Sequence, residues 1–348
     1  MNIPWTARIA TGLVVLFAAD WFSCRALLHR MQGEYAQWRQ AMESQGWQVR
    51  NGTVSGTYFP LGATLQIPDL ELSGGQALVP GGLDWHAERA SLSLSVFHPL
   101  RLDIAPQGQQ TLRAAAGQAL LLNADHLIAE VPLGGGKPDH IRIMSESLTA
   151  GLRGSDHPQD VRIDGLNVEF TATRGDSGRT GMGFDMQAHG VGLPDLGRWP
   201  LGATINKLTL QFSLASPALS GRAPAEQARA WRDWGGTMNI STLAVKWGPL
   251  DMKANFVLGL DQQLQPTGRG HTDISGWSPA LDAMASGGAI PDGMAQTAKA
   301  VLSLMAPQAD GASGPDAPIS LPIKLKDSTL SLGPIPLLHL RHVAWGGV

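Results

Sequence analysis

The clearest structural signal in this chain is the segment LTLQFSL, residues 208–214, in which leucine or phenylalanine alternates with threonine, glutamine or serine. Successive side chains of a β-strand point to opposite faces of a sheet, so this segment predicts a strand with one apolar and one solvated face. The segment SLSLSV, residues 91–96, alternates in the same way. Two-sided strands of this kind are typical of antiparallel sheets.

The same alternation recurs along the whole chain after Trp47, in shorter runs at residues 65–67, 70–72, 166–170, 243–247 and 330–332. The chain contains 42 glycines and 23 prolines, and they separate these runs at short intervals, which favours hairpins over helical crossovers. We therefore predict a mainly β fold, an extended and twisted antiparallel sheet that is curved or sandwich-like. The predicted inward-facing residues are Leu92, Leu94, Val96, Leu208, Leu210, Phe212 and Leu214.

A repeated pentapeptide divides the β-rich part of the chain into two halves. The pentapeptide PLGAT occurs at residues 60–64 and again at 200–204, each time after an aromatic residue and before an alternating strand. The offset of 140 residues indicates a two-fold internal duplication, with a first β half at 47–195 and a second at 196–348. The alternative interpretation is that two strands begin with the same turn chemistry.

The N-terminus carries an uninterrupted apolar run of 11 residues, 9–19, which continues past Asp20 to Leu28. A membrane span needs about 20 residues, so Asp20 and Arg25 would have to lie at the membrane interface, where Trp21 is also well placed. Because bulky Trp21 and Phe22 follow, no typical cleavage site is present. We predict an uncleaved signal anchor at residues 1–28, with a cleaved signal peptide as the alternative.

A helical pattern follows the apolar run. Apolar residues recur at spacings of three and four, which gives one stripe along a helix; they are Leu27, Leu28, Met31, Tyr35, Trp38 and Met42. Gly46 is typical of the residue that follows a helix C-terminus. The sequence thus predicts a helix over roughly residues 9–45 that ends in a stalk at 29–46, and a separate core helix is an equally compatible interpretation.

Composition and motifs give no positive sign of catalysis or nucleic-acid binding. The net charge is −3 and no basic run exists, which excludes the cationic surface that nucleic acids require. The single cysteine, Cys24, excludes an internal disulfide and a multi-cysteine metal site. His339 and His342 would point to opposite faces of a strand. We therefore predict no catalytic, cofactor-binding or metal-binding residues and no cofactor; a hydrolase site assembled from distant turns is the alternative.

Several turn and strand-edge motifs carry a family resemblance. In order they are GWQV (46–49), FPL (59–61), WGGT (234–237), WGPL (247–250), LGLD (258–261), PTG (266–268) and LGPIPL (332–337). Through them the chain resembles the bacterial family known as domain of unknown function 2125. The resemblance implies a β protein anchored in the bacterial inner membrane with its body in the periplasm, and no active-site residues. At fold level only, the strand and turn pattern is similar to AsmA-like envelope proteins.

The apolar face of such a sheet leads to a functional hypothesis. Helices predicted near 224–234, 279–286 and 291–305 are the only segments available to cover it, through Trp231, Trp234, Leu281, Met284, Val301, Leu302 and Met305. An uncovered stretch would form an apolar groove that binds acyl chains of envelope lipids, or partner proteins of the envelope. The predicted groove residues are Leu92, Leu94, Val96, Leu208, Leu210 and Phe212. The alternative is that the sheet folds onto itself and buries this face.

Overall fold

The structure is a computed structural model of the 348-residue chain. It describes residues 5–58, 60–75, 82–114, 119–134, 139–152, 160–174, 179–195, 199–217, 224–305, 318–333, 335–343 and 345. Backbone contacts divide the chain into two compact units, Met1–Ile143 and Met144–Val348, which we call unit 1 and unit 2. The internal duplication with halves at 47–195 and 196–348 concerns ancestry rather than contacts, and it stays a prediction.

Unit 1 consists of a long helix and an antiparallel sheet. Its elements are α1 (Trp5–Ser44), β1 (Gln48–Arg50), β2 (Ser55–Tyr58), β3 (Gly62–Gly74), β4 (Leu83–Ser95), β5 (His98–Ala114), β6 (Leu120–Asp125), β7 (Ile128–Pro132) and β8 (His140–Ser145), which reaches the boundary with unit 2. β2, β3, β4 and β5 pair in this order, β1 also pairs with β3, and β6 and β7 pair with β5.

Unit 2 is an antiparallel meander with three short helices. Its elements are β9 (Ser147–Leu152), β10 (Val161–Arg174), β11 (Arg179–Gly192), β12 (Thr204–Pro217), α2 (Pro224–Asp233), β13 (Met238–Trp247), β14 (Leu250–Leu260), β15 (Pro266–Ser275), α3 (Trp277–Ser286), α4 (Asp292–Met305), β16 (Ile319–Lys326), β17 (Thr329–Leu332) and β18 (Ile335–His339). Each strand from β9 to β18 pairs with the next one in sequence. The predicted mainly β, antiparallel fold with a few short helices is confirmed.

Helix α1 packs its apolar stripe on the sheet of unit 1. Leu28 and Met31 are buried against Leu65, Ile67 and Leu94, and Leu27, Tyr35 and Met42 pack around this core, whereas Trp38 of the same stripe is 38% exposed. The predicted helix at 9–45 is confirmed, and its C-terminal half contributes to the core of unit 1. The prediction that only the late helices cover the sheet is wrong, because α1 covers the apolar face of unit 1. Among the described residues, no helix is both long and apolar enough to cross a membrane.

The late helices begin and end mostly where the sequence predicts. Helix α2 starts at Pro224, and the backbone N–H groups of Gly235 and Gly236 close its C-terminus. The helix predicted at 279–286 begins two residues earlier: α3 starts at Trp277, after Gly276 in the left-handed conformation (φ 64°). The N–H of Ala280 donates to the carbonyl of Gly276, so the first turn forms two residues earlier than the sequence predicts.

Candidate functional site

The strand register of unit 2 aligns alternate residues of neighbouring strands into rows on one side of the sheet, which we call the apolar face. In antiparallel strands, directly paired residues share a face. Across β10, β11, β12 and β13, the first row is Leu166, Ala188, Leu208 and Val245; the second is Val168, Met186, Leu210 and Leu243. The third row is Phe170, Phe184, Phe212 and Ile240; the fourth is Ala172, Met182, Leu214 and Met238. We call these four rows the open half of the apolar face.

The remainder of this face, on β14 to β17, lies under helices α3 and α4. Trp277 at the start of α3 is buried and packs with Ile274, Ile319 and Leu321 from β15 and β16. Leu281 of α3 and Leu302 of α4 pack against the same cluster, as the sequence predicts for two of the inward-facing residues. Val301 and Trp234, predicted to face inward, are exposed, and the side chain of Met305 lies outside the described residues. This part of the face is therefore a covered core.

The open half differs from the covered core in its burial. Among its side chains, only Ala188 is buried; the larger apolar groups are all partly exposed. Met182 is 43% exposed and Phe170 is 37% exposed. Helices α2 and α3 both pack against β14. A continuous set of apolar side chains thus remains in contact with solvent on β10 to β13.

Aromatic rings form a ladder across the open half. The ring of Phe184 stacks on Phe212 with centroids 4.9 Å apart, and it meets Phe170 edge-on at 5.1 Å. Such ring pairs are stabilised by about 0.5–1.5 kcal/mol beyond the area they bury. Methionines 182, 186 and 238 surround the ladder, and their unbranched side chains adapt to irregular apolar partners. The open half therefore combines a rigid aromatic centre with adaptable neighbours.

The opposite side of the same strands is polar, which makes the sheet two-sided. The side-chain amide of Gln211 on β12 donates to the carboxylate of Asp185 on β11, and Gln187 donates to the same carboxylate at 3.4 Å. Ser213 is exposed on this side. Asp185, Gln187 and Gln211 bond to one another and Ser213 faces water, so these residues need no cover. The buried Oδ1 of Asn167, which is paired with Gln187 in the register, has no hydrogen-bond partner among the described residues.

A cavity of about 520 Å³ lies between the segment that joins β11 to β12 and the C-terminal end of α3. Its walls include Leu193, Trp199, Ala203 and Ala283. The indole N–H of Trp199 donates to the carbonyl of Pro194 (2.8 Å), so the ring itself faces the cavity as an apolar wall. The ring of Trp247 lies 6.2 Å from Trp199. The cavity is large enough for part of a small apolar ligand.

The structure places the predicted groove residues in both units. Leu208, Leu210 and Phe212, with Leu214, lie together in the open half. Leu92 and Leu94 lie on β4 of unit 1, where Leu94 is only 3% exposed and belongs to the core under α1; Val96 follows that strand and is partly buried. Whether any of these residues binds a ligand stays a prediction.

Sequence reasoning missed the contribution of β11 to this site. Met182, Phe184 and Met186 alternate with glycine and aspartate in the segment MGFDM. The signal of period two is present in this segment. The surrounding glycines, which are weak strand formers, hide it from a search for runs of branched or aromatic residues.

Metal binding finds no support among the described residues. Within the residues that the structure describes, no group of three or more histidine, cysteine, aspartate or glutamate side chains could hold a metal ion. His339 and His342 are both exposed, and His339 Nδ1 lies 3.2 Å from the hydroxyl of Thr329. What the arrangement offers chemically is an apolar surface.

Comparison with protein families gives a match that covers most of the chain. A search of curated proteins finds no match to this sequence. The family model described as an uncharacterised protein conserved in bacteria, DUF2125, matches residues 21–341. That range includes the rear part of α1, the paired strands of both units and every row of the open half. The resemblance inferred from the turn motifs is thereby confirmed, and the chain belongs to the bacterial DUF2125 family.

Proposed function

We propose that this protein is a non-enzymatic component of the bacterial envelope, anchored in the inner membrane by the apolar first part of residues 9–28, ahead of the part of α1 that packs on the sheet, with its body in the periplasm, whose open half binds acyl chains of envelope lipids. One observation carries the lipid assignment: four rows of large apolar side chains on β10 to β13 remain partly exposed while the rest of the same face is covered. Soluble monomers rarely expose contiguous apolar patches larger than a few hundred Å².

The dimensions of the open half suit a hydrocarbon chain. Its four rows extend along the strands for roughly 20 Å, at about 3.3 Å per residue, so an extended acyl chain can lie along the sheet. Each methylene group that leaves water contributes about 0.8 kcal/mol. The row of Phe170, Phe184 and Phe212 crosses the middle of this surface, where flat rings offer contact area without polar groups.

The anchor is the second part of the proposal. Val15, Leu16 and Phe17 of α1 are exposed, and the guanidinium of Arg25 lies 5.7 Å above the ring of Trp21. Tryptophan and arginine of this kind are typical of the interface between lipid and water. The looser similarity to AsmA-like envelope proteins also stays a prediction.

The test of lipid binding compares two exposed apolar residues on opposite sides of the sheet. The full chain is purified from bacterial membranes in mild detergent, and bound lipid is measured by mass spectrometry. Met182→Asp, in the open half, should abolish co-purification of lipid. Val257→Asp is the matched control, because Val257 is 45% exposed on β14 but faces away from the apolar face. Circular dichroism checks that both variants remain folded.

The lipid measurement can either support or overturn the proposed binding surface. Lipid bound to the wild type and to Val257→Asp but absent from Met182→Asp supports the open half as the binding surface. A folded wild-type protein that carries no lipid, or a Met182→Asp variant that carries as much lipid as the wild type, overturns the proposal.

A further inference from the structure

Several large apolar side chains are exposed together at one end of unit 1, where three segments meet. The carboxylate of Asp20 on α1 accepts the N–H of Leu61 at 3.1 and 3.3 Å. The carbonyl of Leu61 in turn accepts the N–H of Val96 at 3.0 Å. Helix α1, the turn before β3 and the turn between β4 and β5 are thus joined by hydrogen bonds.

These three segments all present apolar side chains to the outside. Phe97 lies in the two-residue turn between β4 and β5 and is 69% exposed; Leu100, near the start of β5, is 60% exposed. Leu61 is 51% exposed, and Phe22 on α1 is 65% exposed. We call Leu61, Phe97 and Leu100 the apolar platform; Phe22 lies on the side of α1 that faces away from the sheet. A single exposed apolar residue is ordinary, but these three lie at neighbouring turns that the hydrogen bond from Val96 to Leu61 joins, and they form a patch.

Two charged groups beside the apolar platform, Asp20 and Arg101, have partners within unit 1. Asp20 is satisfied by the backbone of Leu61. Arg101, which follows Leu100, forms ion pairs with Asp103 at 3.2 Å and with Glu130 at 3.3 Å. The patch therefore carries little free charge of its own, and that lowers the cost of moving it from water into a less polar medium.

The conformation of Leu61 is a further observation. Its φ of 62° lies in the left-handed region, which glycine adopts freely and a branched side chain such as leucine adopts at a cost. Glycine at this position would relieve the strain and remove the exposed side chain. The turn therefore holds an apolar side chain outward at the expense of stability.

The occupant that fits this patch is a lipid bilayer surface. Helix α1, whose Asp20 is hydrogen-bonded to Leu61 of the apolar platform, also exposes Val15 and Leu16. Beside it, Trp21 packs edge-on with Tyr58 at 6.1 Å and under Arg25 at 5.7 Å, and this combination of aromatic and cationic side chains suits the headgroup region. The apolar side chains lie on turns and on a helix, so they can enter a bilayer without exposing strand edges to lipid.

We infer that the apolar platform inserts into the interfacial region of the membrane that α1 enters, so that unit 1 contacts the bilayer through its sheet turns as well as through its helix. The inference rests on the proposed membrane anchor, but it does not depend on lipid binding by the open half of unit 2.

The test places an environment-sensitive fluorophore at single cysteines of the full chain in a Cys24→Ala background. Phe97→Cys reports on the apolar platform, Leu16→Cys on the anchor, and Val257→Cys on a surface of unit 2 with comparable exposure. The protein is reconstituted into vesicles of phosphatidylethanolamine and phosphatidylglycerol that contain nitroxide-labelled lipid. We expect the fluorophore at 97 to shift to the blue and to be quenched by the lipid nitroxide, and the fluorophore at 257 to remain in water.

A second variant separates this effect from folding. Leu61→Gly in the chain labelled at residue 97 should weaken the lipid quenching, while its melting temperature should stay the same or rise because the strained turn is relieved. A loss of quenching in this variant cannot be attributed to unfolding.

Each result decides the matter. Quenching at 97 that Leu61→Gly weakens supports the inference. A fluorophore at 97 that stays in water overturns it, whether or not the fluorophore at 16 is quenched; quenching at 16 alone would leave α1 as the membrane contact. A blue shift at 97 that occurs without vesicles would mean that a second copy of the chain covers the patch, and this also overturns the inference.

Discussion

Leu94 and Leu210 occupy similar positions in two alternating strands, but their surroundings differ. Leu94 is buried in the core under α1, whereas Leu210 is only partly buried in the open half. We expect Leu94→Ala to lower the free energy of unfolding by about 2–5 kcal/mol, because it leaves a cavity in a packed core. Leu210→Ala should cost about 1 kcal/mol, since water already reaches the site. Urea unfolding measures both, and equal losses would contradict the assignment of an open half.

Tyr35 gives unit 1 a sensitivity to alkaline pH. Burial against the sheet raises the pKa of its hydroxyl above the usual value of 10.0, while the nearby Arg39 opposes the rise. The unfolded chain therefore releases this proton at a lower pH than the folded chain does. The contribution of the neutral Tyr35 hydroxyl to the stability of the folded chain is fully present below pH 10. It is lost as the pH rises through the higher pKa of the folded state.

We therefore expect Tyr35→Phe to flatten the fall in melting temperature above pH 10. At neutral pH the variant should lose about 1 kcal/mol, because the hydroxyl of Tyr35 donates a 2.8 Å hydrogen bond to Asn51. Asn51→Ala is the control: it removes the same hydrogen bond but keeps the ionisable hydroxyl, so its alkaline transition should persist. A Tyr35→Phe protein with an unchanged alkaline transition would refute the role of this residue.

At the scale of elements, the docking of α1 on the sheet depends on a close approach at β2. A Cβ atom at Gly56 would lie 2.5 Å from Cδ1 of Leu28, a buried residue of α1. Gly56→Ala should therefore push the helix away and cost about 1–3 kcal/mol. Gly33→Ala is the matched control, because a Cβ atom at this helical position would have no neighbour within 4 Å; it should stabilise the helix by roughly 0.5–1 kcal/mol. Thermal unfolding measures the melting temperatures of the two variants. If both melting temperatures shift in the same direction, the close approach of α1 to Gly56 is contradicted.

The sequence predicted the elements better than it predicted their contacts. Alternation with period two identified β4 and β12 because each strand has one apolar and one polar side, and this is a local property of the chain. The start of α3 was missed because Gly276 adopts a left-handed conformation that no side-chain pattern reveals. That α1 would bury Leu94 while Leu210 stays partly exposed depends on contacts between residues far apart in the chain. The sequence therefore predicted that an exposed apolar surface exists, but only three of the six predicted groove residues lie in the open half.

At the scale of the whole molecule, the two units differ in how much of an apolar sheet face their helices cover. Unit 1 covers its face with α1, whose residues Leu28 and Met31 are buried in its core. Unit 2 covers only the part of its face next to α3 and α4 and leaves β10 to β13 partly exposed. Covering a face gives stability, whereas an open face is retained where something else binds. Under the proposed function, this contrast places lipid binding on unit 2, while the covered face of unit 1 contributes to stability.

The remaining prediction concerns the membrane topology of the chain. If residues 9–28 anchor the protein and the body lies in the periplasm, alkaline phosphatase fused after Val348 should be active, because this reporter folds only outside the cytoplasm. The protein should also remain in the membrane fraction after carbonate extraction. The charges on either side of the apolar run do not fix this orientation, since Arg8 precedes it and Arg25 and Arg30 follow it. A fusion to green fluorescent protein at the same site, which reports a cytoplasmic C-terminus, serves as the reciprocal control. An inactive phosphatase together with a fluorescent fusion would reverse the topology and place the open half of the apolar face out of reach of periplasmic lipids.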